Sequence, residues 1–371
     1  MHGLWWRART WIASGYRPVP EIQAGTAWMA GPALGGSTPP APLVVIFSPT
    51  VVTARNDLDQ RRALAHLAGR VAALMRARPD RRFVVWLGMQ GDPSERRECA
   101  RRLQAAALAC TAAGVAFDGF VQHRLGKVTS LNAALLAAVT AGASAVIQVD
   151  DDVHLAPDCL DRVLRAYELR RGEAVVGATK IPVRRPSRTS GVLRWLRGQT
   201  GHACAYPHGC CIALNPHSPR FPIPVRYSTD DGYICFSWLR PAAAEPLEAL
   251  VVESGATCRY FVGGAFGESL WRIRRMLLDT HVLLADFPRA TAAYYFRWLL
   301  FRGLWPIGAP AAEGTRFTPV RWTLRLGYYV LFSVVGLELI VRGVLGRPLR
   351  RMHWAGLSHR DAPLPPSEAA F

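Results

Sequence analysis

The chain has 371 residues, with 45 Lys and Arg against 27 Asp and Glu and a formal net charge of +18. This length predicts one large domain with appendages, and the positive charge indicates an anionic partner such as nucleic acid, anionic lipid or a phosphorylated substrate. Twelve Trp favour a membrane surface, and eight Cys without a C-x-x-C pair predict buried thiols in a reducing cytosol rather than a disulfide-rich secreted protein.

The N-terminal segment 1–41 is rich in Gly, Pro and Trp and lacks a periodic apolar pattern. We expect it to be poorly ordered or to lie on a surface, and we assign it no chemistry. Its first residues hold no apolar run long enough for a signal peptide, so we expect the chemistry on the cytoplasmic side of the cell inner membrane. The predicted units are 1–41, an α/β domain at 42–262, basic interfacial helices at 263–320, a membrane helix at 321–350 and a tail at 351–371.

From Leu43 onward, short apolar runs alternate with helical patterns. The predicted strands are LVVIF at 43–47, FVVWL at 83–87, VAFDGFV at 115–121, AVIQV at 145–149 and AVVGA at 174–178. Between the first two, apolar residues recur at helical spacing from Leu64 to Met75, and the predicted helix stops before Pro79. This pattern predicts a mainly parallel sheet covered by helices on both faces, with ligands at the carboxyl ends of the strands.

Three consecutive carboxylates, Asp150, Asp151 and Asp152, follow the predicted strand 145–149. In an extended segment the first and third side chains share one face, so Asp150 and Asp152 can act together. Like charges at this distance need compensation, which Mg²⁺ or Mn²⁺ carrying a diphosphate would supply. An acidic helix start without a ligand is the alternative reading.

Two further motifs are candidates for chemistry. The run GKVTSLNAAL at 126–135 predicts a tight turn that enters a helix, with Lys127 near a phosphate or a base. The run STDDGYI at 228–234 predicts a helix that starts at an acidic pair. There Asp231, beside Asp230, is placed to act as a general base, although a simple helix cap is also consistent with the pair.

The apolar run at 326–346 is long enough to cross a bilayer as a helix. Glu338 and Arg342 interrupt it at a spacing of four residues, which predicts an ion pair between them. A transmembrane helix, an interfacial re-entrant helix and a buried soluble helix remain open.

The three motifs together resemble those of family 2 glycosyltransferases. The run VIQVDDDVHLAPDCL is similar to the D-x-D strand of the family, GKVTSLNAAL to its Lys-containing helix and TDDGYI to its E-D motif, in family order between Val44 and Trp298. The resemblance implies a GT-A fold, a Rossmann-like and mainly parallel sheet flanked by helices, with amphipathic interfacial helices and a membrane helix at the C-terminal end. It also implies an inverting transfer from a nucleotide diphosphate sugar, with a UDP-sugar favoured, to a lipid, lipid-linked or glycan acceptor at a membrane.

The resemblance implies roles for individual residues. Asp231 and Asp230 are the expected catalytic residues, and Asp150 and Asp152 the expected ligands of Mg²⁺ or Mn²⁺. The expected donor-binding residues are Pro49, Thr50, Asp92, Lys127, Asp150, Asp151, Gly209, Arg272 and Arg275.

Two features depart from the family pattern. The second strand offers only Asp92 where an acidic pair usually reads the base, so the nucleotide stays open. The R-x-x-R-W motif has two candidates, because 272–276 ends in Met276 and 294–298 begins with Tyr294 but keeps Arg297 and Trp298. We favour the first, where Arg272 and Arg275 would share a helical face and neutralise a diphosphate.

Other readings of the sequence are weaker. A noncatalytic scaffold of the same fold at a membrane is the leading alternative, and a nucleic-acid-binding protein is a distant third. The segment 202–211 concentrates His and Cys, but its spacing matches no closed zinc site, and we expect Gly209 to Leu214 to form a core strand beside the donor.

Overall fold

The computed structural model describes residues 16–17, 27–29, 41–52, 57–122, 126–184, 205–224, 227, 229–262, 270, 273–277, 286–300, 319–345 and 349–350. Its strands are β1 Tyr16–Arg17, β2 Ala27–Met29, β3 Leu43–Val51, β4 Arg82–Gln90, β5 Ala116–Gln122, β6 Ala143–Val149, β7 Val153–Leu155, β8 Val175–Arg184, β9 Cys211–Leu214, β10 Leu250–Val262 and β11 Leu349–Arg350. Its helices are α1 Asp57–Ala77, α2 Arg96–Ala112, α3 Lys127–Thr140, α4 Cys159–Leu169, α5 Asp230–Trp238, α6 Arg289–Tyr294 and α7 Pro319–Val344. Tyr295–Leu300 continues α6 as a π-helical turn, and 273–277 is also helical.

Nine strands form one mixed sheet in the order β2-β5-β4-β3-β6-β9-β8-β10-β7. The run β5-β4-β3-β6 is parallel, as the apolar pattern predicts, and the predicted α/β class is confirmed. Strand β9 runs antiparallel between β6 and β8, which the sequence did not predict. The parallel strands therefore deliver their carboxyl ends to one edge, and β9 brings the segment before it back to that edge.

The central strands of the sheet are buried on both faces. All nine residues of β3 are buried, which explains its continuous apolar sequence. Helices α3 and α5 cover one face, where Leu131 and Phe236 belong to the same core. Helices α1 and α4 cover the other face, where Val71 and Val163 pack together.

The predicted helix between the first two strands is confirmed as α1, which ends at Ala77, two residues before Pro79. Its apolar residues Leu67, Val71 and Leu74 are buried against the sheet. The residue before a proline is disfavoured in helical conformation, and this accounts for the end of the helix.

Two short strands occur in the N-terminal segment for which we predicted no element. Strand β2 pairs antiparallel with β5 at the edge of the large sheet. Strand β1 pairs with β11 in a separate two-stranded sheet, which joins Tyr16–Arg17 to Leu349–Arg350.

The apolar helix near the C-terminus, α7, packs against the helical residues 273–277. Ile273 and Leu277 share a buried cluster with Phe332, Val335 and Leu339 of α7. The predicted pair of Glu338 and Arg342 is confirmed at 2.9 Å, and Arg274 adds a second ion pair to Glu338 at 2.7 Å. The stretch Leu326–Val344 is long and apolar enough to cross a bilayer by length and composition, yet its middle is held to the rest of the protein.

Candidate active site

The three carboxylates after β6 have different surroundings. The backbone N–H of Asp150 donates to the carbonyl oxygen of Cys210 at 3.1 Å, which ties the end of β6 to the segment before β9. Asp151 accepts a hydrogen bond from the hydroxyl of Thr50 at the end of β3. Asp152 is half-buried and makes no hydrogen bond or ion pair with the residues that the structure describes. Asp150 and Asp152 therefore differ, since Asp150 forms an ion pair with Lys127 and Asp152 is available to a ligand.

Lys127 joins two of the sequence motifs. It is the first residue of α3, after Gly126, whose φ of 103° favours glycine. Its ammonium lies 2.7 Å from Asp150 Oδ1 and 3.0 Å from Asp230 Oδ2. Burial alone would lower the pKa of Lys127, but Asp150 and Asp230 outweigh burial and raise it, so the side chain stays protonated.

Gln148 completes this network, and sequence reasoning missed it. Its Nε2 donates to Asp230 Oδ2 at 2.7 Å and to the carbonyl oxygen of Gly209 at 3.1 Å. The side chain is fully buried in β6, two residues before Asp150. A lone amide inside the apolar run VIQV is the signal that could have identified it, because a buried amide requires partners.

Gly209 lies against the same three side chains. A Cβ added there would be 2.5 Å from Lys127 Nζ, 2.8 Å from Asp230 Oδ2 and 3.2 Å from Gln148 Nε2. Only a residue without a side chain fits this position. The predicted strand at 209–214 is confirmed as β9, which begins at Cys211.

Asp231 is placed beside the network at the start of α5. Its Oδ1 accepts from the N–H of Gly232 at 2.9 Å, and its Oδ2 lies 3.2 Å from His208 Nδ1. Burial opposes ionisation, but His208, Lys127 and Lys180 outweigh burial, so the pKa of Asp231 lies below its usual range. The carboxylate is ionised and its side chain is 30% exposed, so a substrate can reach it.

A cavity of about 290 Å³ opens at the carboxyl ends of β3, β4 and β6, between α1 and α2. Leu64, Leu87 and Met89 supply apolar wall, and Asp150 and Asp151 lie at one side. The guanidinium of Arg102 is a buried polar group in the lining, and it donates to Gln60 Oε1 at 2.5 Å. The residues that line this cavity were missed by sequence reasoning, apart from Thr50, Asp150 and Asp151.

The remaining predicted site residues lie in several places. Pro49 is buried near the end of β3, and Asp92 is exposed, with its N–H bonded to Glu95 Oε2 at 2.8 Å. Asp92 does not line the cavity. Arg275 is half-buried on the helical residues 273–277, and Arg272 lies outside the described residues. In the second candidate motif, Arg297 is exposed and lies 4.6 Å from the ring of Trp298.

Asn132, within the run GKVTSLNAAL, has a structural role that sequence reasoning missed. Its Nδ2 donates to the carbonyl oxygen of Ile223 at 2.6 Å, and its Oδ1 accepts from the N–H of Ile223 at 2.9 Å. The amide of Asn132 thus satisfies both backbone groups of Ile223, and these two hydrogen bonds connect α3 to the loop before α5.

The donor set fits a hard divalent cation. Burial, together with Asp230 and Asp152, raises the pKa of Asp150 to about 8 although Lys127 opposes the shift. Asp230 and Asp152 repel the ionised form of Asp150, a divalent cation would offset that repulsion, and carboxylate oxygens suit Mg²⁺ or Mn²⁺. Among the described residues no group of three or more His, Cys, Asp or Glu is arranged to hold an ion alone, so the other ligands would be water or phosphate oxygens.

No protein-family model matches the chain, and no curated protein does. Among solved structures, the chain is similar to the mannosyltransferase PcManGT from Pyrobaculum calidifontis in complex with GDP-Man and Mn²⁺. The two share 17% identity over 93% of this chain and 94% of the other, with a TM-score of 0.43.

Proposed function

We propose that the chain is a glycosyltransferase that moves a sugar from a nucleotide diphosphate sugar to an acceptor hydroxyl. The proposal rests on the position of the Lys127 ammonium, which forms ion pairs with Asp150 after β6 and with Asp230 at the start of α5. Three motifs that are separate in the sequence therefore share one ion-pair network at the carboxyl ends of the strands. Ligands of open α/β sheets bind at such edges.

The cavity between α1 and α2 is the proposed site of the nucleoside. Its apolar wall suits a flat base, and Arg102, Gln60 and Thr50 are polar groups that would fix the orientation of the base. The position of Asp151 in the same lining would place the diphosphate next to Asp150. A UDP-sugar is the favoured donor on the family resemblance, and the contacts of Arg102 would decide between a pyrimidine and a purine.

Asp150 and Asp152 would hold Mg²⁺ or Mn²⁺, with the remaining ligands from the donor. When bound, the cation would neutralise charge on the leaving diphosphate. Arg275 and Arg272 are the proposed additional cations for that group. Gly209 would act on the donor indirectly, because it leaves the space in which Lys127 meets Asp230. Lys127 would keep Asp150 in place before the donor enters.

Asp231 is the proposed general base of an inverting transfer. The acceptor oxygen attacks the anomeric carbon, the bond from that carbon to the diphosphate oxygen breaks, and the electron pair leaves with the nucleoside diphosphate. The acceptor proton passes to the Asp231 carboxylate, which is ionised and partly exposed. Asp230 is committed to Lys127 and Gln148, so it would hold the site together rather than take the proton.

Helix α7 supports a location at the cytoplasmic face of the inner membrane and a lipid, lipid-linked or glycan acceptor there. Its face opposite the buried Phe332 and Leu339 is apolar and exposed, and it comprises Leu326, Val330, Val334, Leu337, Val341 and Val344. Between residues 319 and 351 the sequence has one acidic residue, Glu338, and six Arg, namely Arg321, Arg325, Arg342, Arg347, Arg350 and Arg351. An apolar ridge flanked by Arg is typical of a helix that lies in the plane of an anionic membrane.

An in-plane orientation of α7 also agrees with its packing. The middle of α7 contacts the helical residues 273–277, which carry Arg274 and Arg275. A spanning α7 would draw these arginines toward the hydrocarbon centre, which is costly, whereas an in-plane α7 leaves them at the level of the headgroups.

The test is donor binding and donor hydrolysis with UDP-, GDP- and dTDP-sugars, with and without Mn²⁺, on detergent-extracted protein. We expect metal-dependent binding of one nucleotide class. We also expect Asp231→Asn to keep that binding and lose hydrolysis and transfer. A folded sample that binds none of the donors would refute the proposal, and an Asp231→Asn variant with normal turnover would refute the role of Asp231.

A further inference from the structure

Among the described residues, His208 is the hydrogen-bond partner of Asp231 Oδ2. The transfer reaction proposed above assigns no role to His208. The Nδ1 atom lies 3.2 Å from Oδ2. The other carboxylate oxygen, Oδ1, is held by the N–H of Gly232. Both carboxylate oxygens of Asp231 therefore have a hydrogen-bond partner. One partner, Gly232, belongs to the same helix, and the other, His208, lies 23 positions earlier in the chain.

The orientation of the His208 ring is itself fixed by packing. The ring of Tyr206 lies 4.4 Å from that of His208, and Tyr206 packs 6.3 Å from Tyr295 of the π-helical turn. His208 also adjoins Gly209, whose carbonyl oxygen accepts from Gln148. The imidazole is thus anchored between an aromatic stack and the ion-pair network.

The hydrogen bond requires a specific tautomer. An ionised carboxylate can only accept, so the proton between the two groups belongs to Nδ1 of His208. Burial and Lys180 lower the pKa of His208, although Asp231 opposes the shift, so the ring is neutral near pH 7. The charged groups that act on the pair are Lys127, Lys180 and Asp230.

We propose that His208 is a positioning residue for Asp231, whose carboxylate it holds through Nδ1–H in the orientation that receives the acceptor proton. The proposal rests on the function proposed above and adds a residue to it. Without this donor Asp231 can rotate about its side-chain bonds toward Lys127 or Lys180. A misplaced general base loses rate while donor binding, which depends on other residues, is preserved.

The test uses three substitutions at position 208. The amide nitrogen of Asn can take the place of Nδ1, the amide nitrogen of Gln reaches about one bond farther, and Phe keeps the aromatic stack without a donor. We expect His208→Phe and His208→Gln to lower kcat about 100-fold with donor affinity unchanged, and His208→Asn to recover most of the rate. Donor hydrolysis with Mn²⁺ supplies kcat, and calorimetry supplies the affinity.

Wild-type kcat in His208→Phe would overturn the proposal. A His208→Asn variant as slow as His208→Phe would also overturn it, because the imidazole would then do more than donate from Nδ1. A wild-type protein without donor binding would instead overturn the proposed function.

Nitrogen NMR of ¹⁵N-histidine-labelled protein tests the geometry without any activity. We expect the signal that disappears in His208→Asn to be that of a neutral imidazole protonated at Nδ1. A His208 protonated at Nε2 would contradict the hydrogen bond and with it the proposal.

Discussion

Gly209→Ala is the sharpest test of the ion-pair network. The new methyl group would lie 2.5 Å from Lys127 Nζ and 2.8 Å from Asp230 Oδ2, inside the contact distance of both atoms. Lys127 cannot swing away cheaply, because its side chain is only 9% exposed and its ammonium bonds both Asp150 and Asp230. Overpacking of a filled site costs about 1–3 kcal/mol, and we expect a loss of unfolding free energy in that range.

The matched control is Gly69→Ala in the middle of α1, where an added Cβ meets nothing within 4 Å. Because alanine is the better helix former, this change should stabilise the protein by about 0.5–1 kcal/mol. Urea unfolding followed by circular dichroism measures both variants, and donor hydrolysis measures the site. Gly209→Ala with the stability and turnover of the wild type would refute the close packing described here.

Four further predictions concern single side chains. Lys127→Met should lower the unfolding free energy by about 3–5 kcal/mol, since it leaves two buried carboxylates unpaired; a loss below 1 kcal/mol in urea unfolding would contradict the ion pairs. Asn132→Leu should cost about 2–3 kcal/mol in the same assay, because it abolishes both hydrogen bonds to the backbone of Ile223; a loss below about 0.5 kcal/mol would speak against the pairing. Asp152→Ala should weaken Mn²⁺-dependent donor binding with little change in stability, and an unaltered metal titration would remove Asp152 from the ligand set. Burial lowers the pKa of His66 to about 4, and its Nε2 accepts from the N–H of Leu155. Stability should therefore rise between about pH 4 and pH 6.5, and His66→Gln should flatten that rise.

The sign of the pH prediction follows from proton counts. The unfolded chain carries a histidine with a pKa near 6.5, whereas folded His66 takes up its proton only near pH 4. Between these values the unfolded state binds more protons, so raising the pH favours the folded state. A stability that falls over this window would contradict the buried neutral imidazole.

Local patterns in the sequence predicted the central strands of the sheet and the helix α1. The apolar runs at 43–47, 83–87 and 145–149 lie in β3, β4 and β6, because a strand buried on both faces has few polar residues. The i, i+4 pair of Glu338 and Arg342 was also predictable, since helix geometry alone brings these side chains together. The acidic segment after β6 was placed correctly at a strand exit for the same local reason.

Contacts between distant residues were not predictable in this way. Gln148 meets Asp230 across 82 positions, and Arg274 meets Glu338 across 64. No periodicity encodes these partners, because their proximity depends on the order and direction of the strands. The antiparallel direction of β9 is the clearest case, since it carries His208 and Gly209 to the carboxyl ends of the parallel strands.

The sequence by itself determined the apolar strands at the centre of the sheet, the helix α1, the carboxylates that follow β6 and the apolar character of α7, since each of these depends on neighbours in the chain. It did not predict the strands β2 and β10. Only the tertiary structure decided that Lys127 joins Asp150 to Asp230, that His208 holds Asp231 and that one face of α7 is packed. These are contacts between groups of opposite charge or complementary shape, and such contacts form only after the sheet has brought remote parts of the chain to one edge.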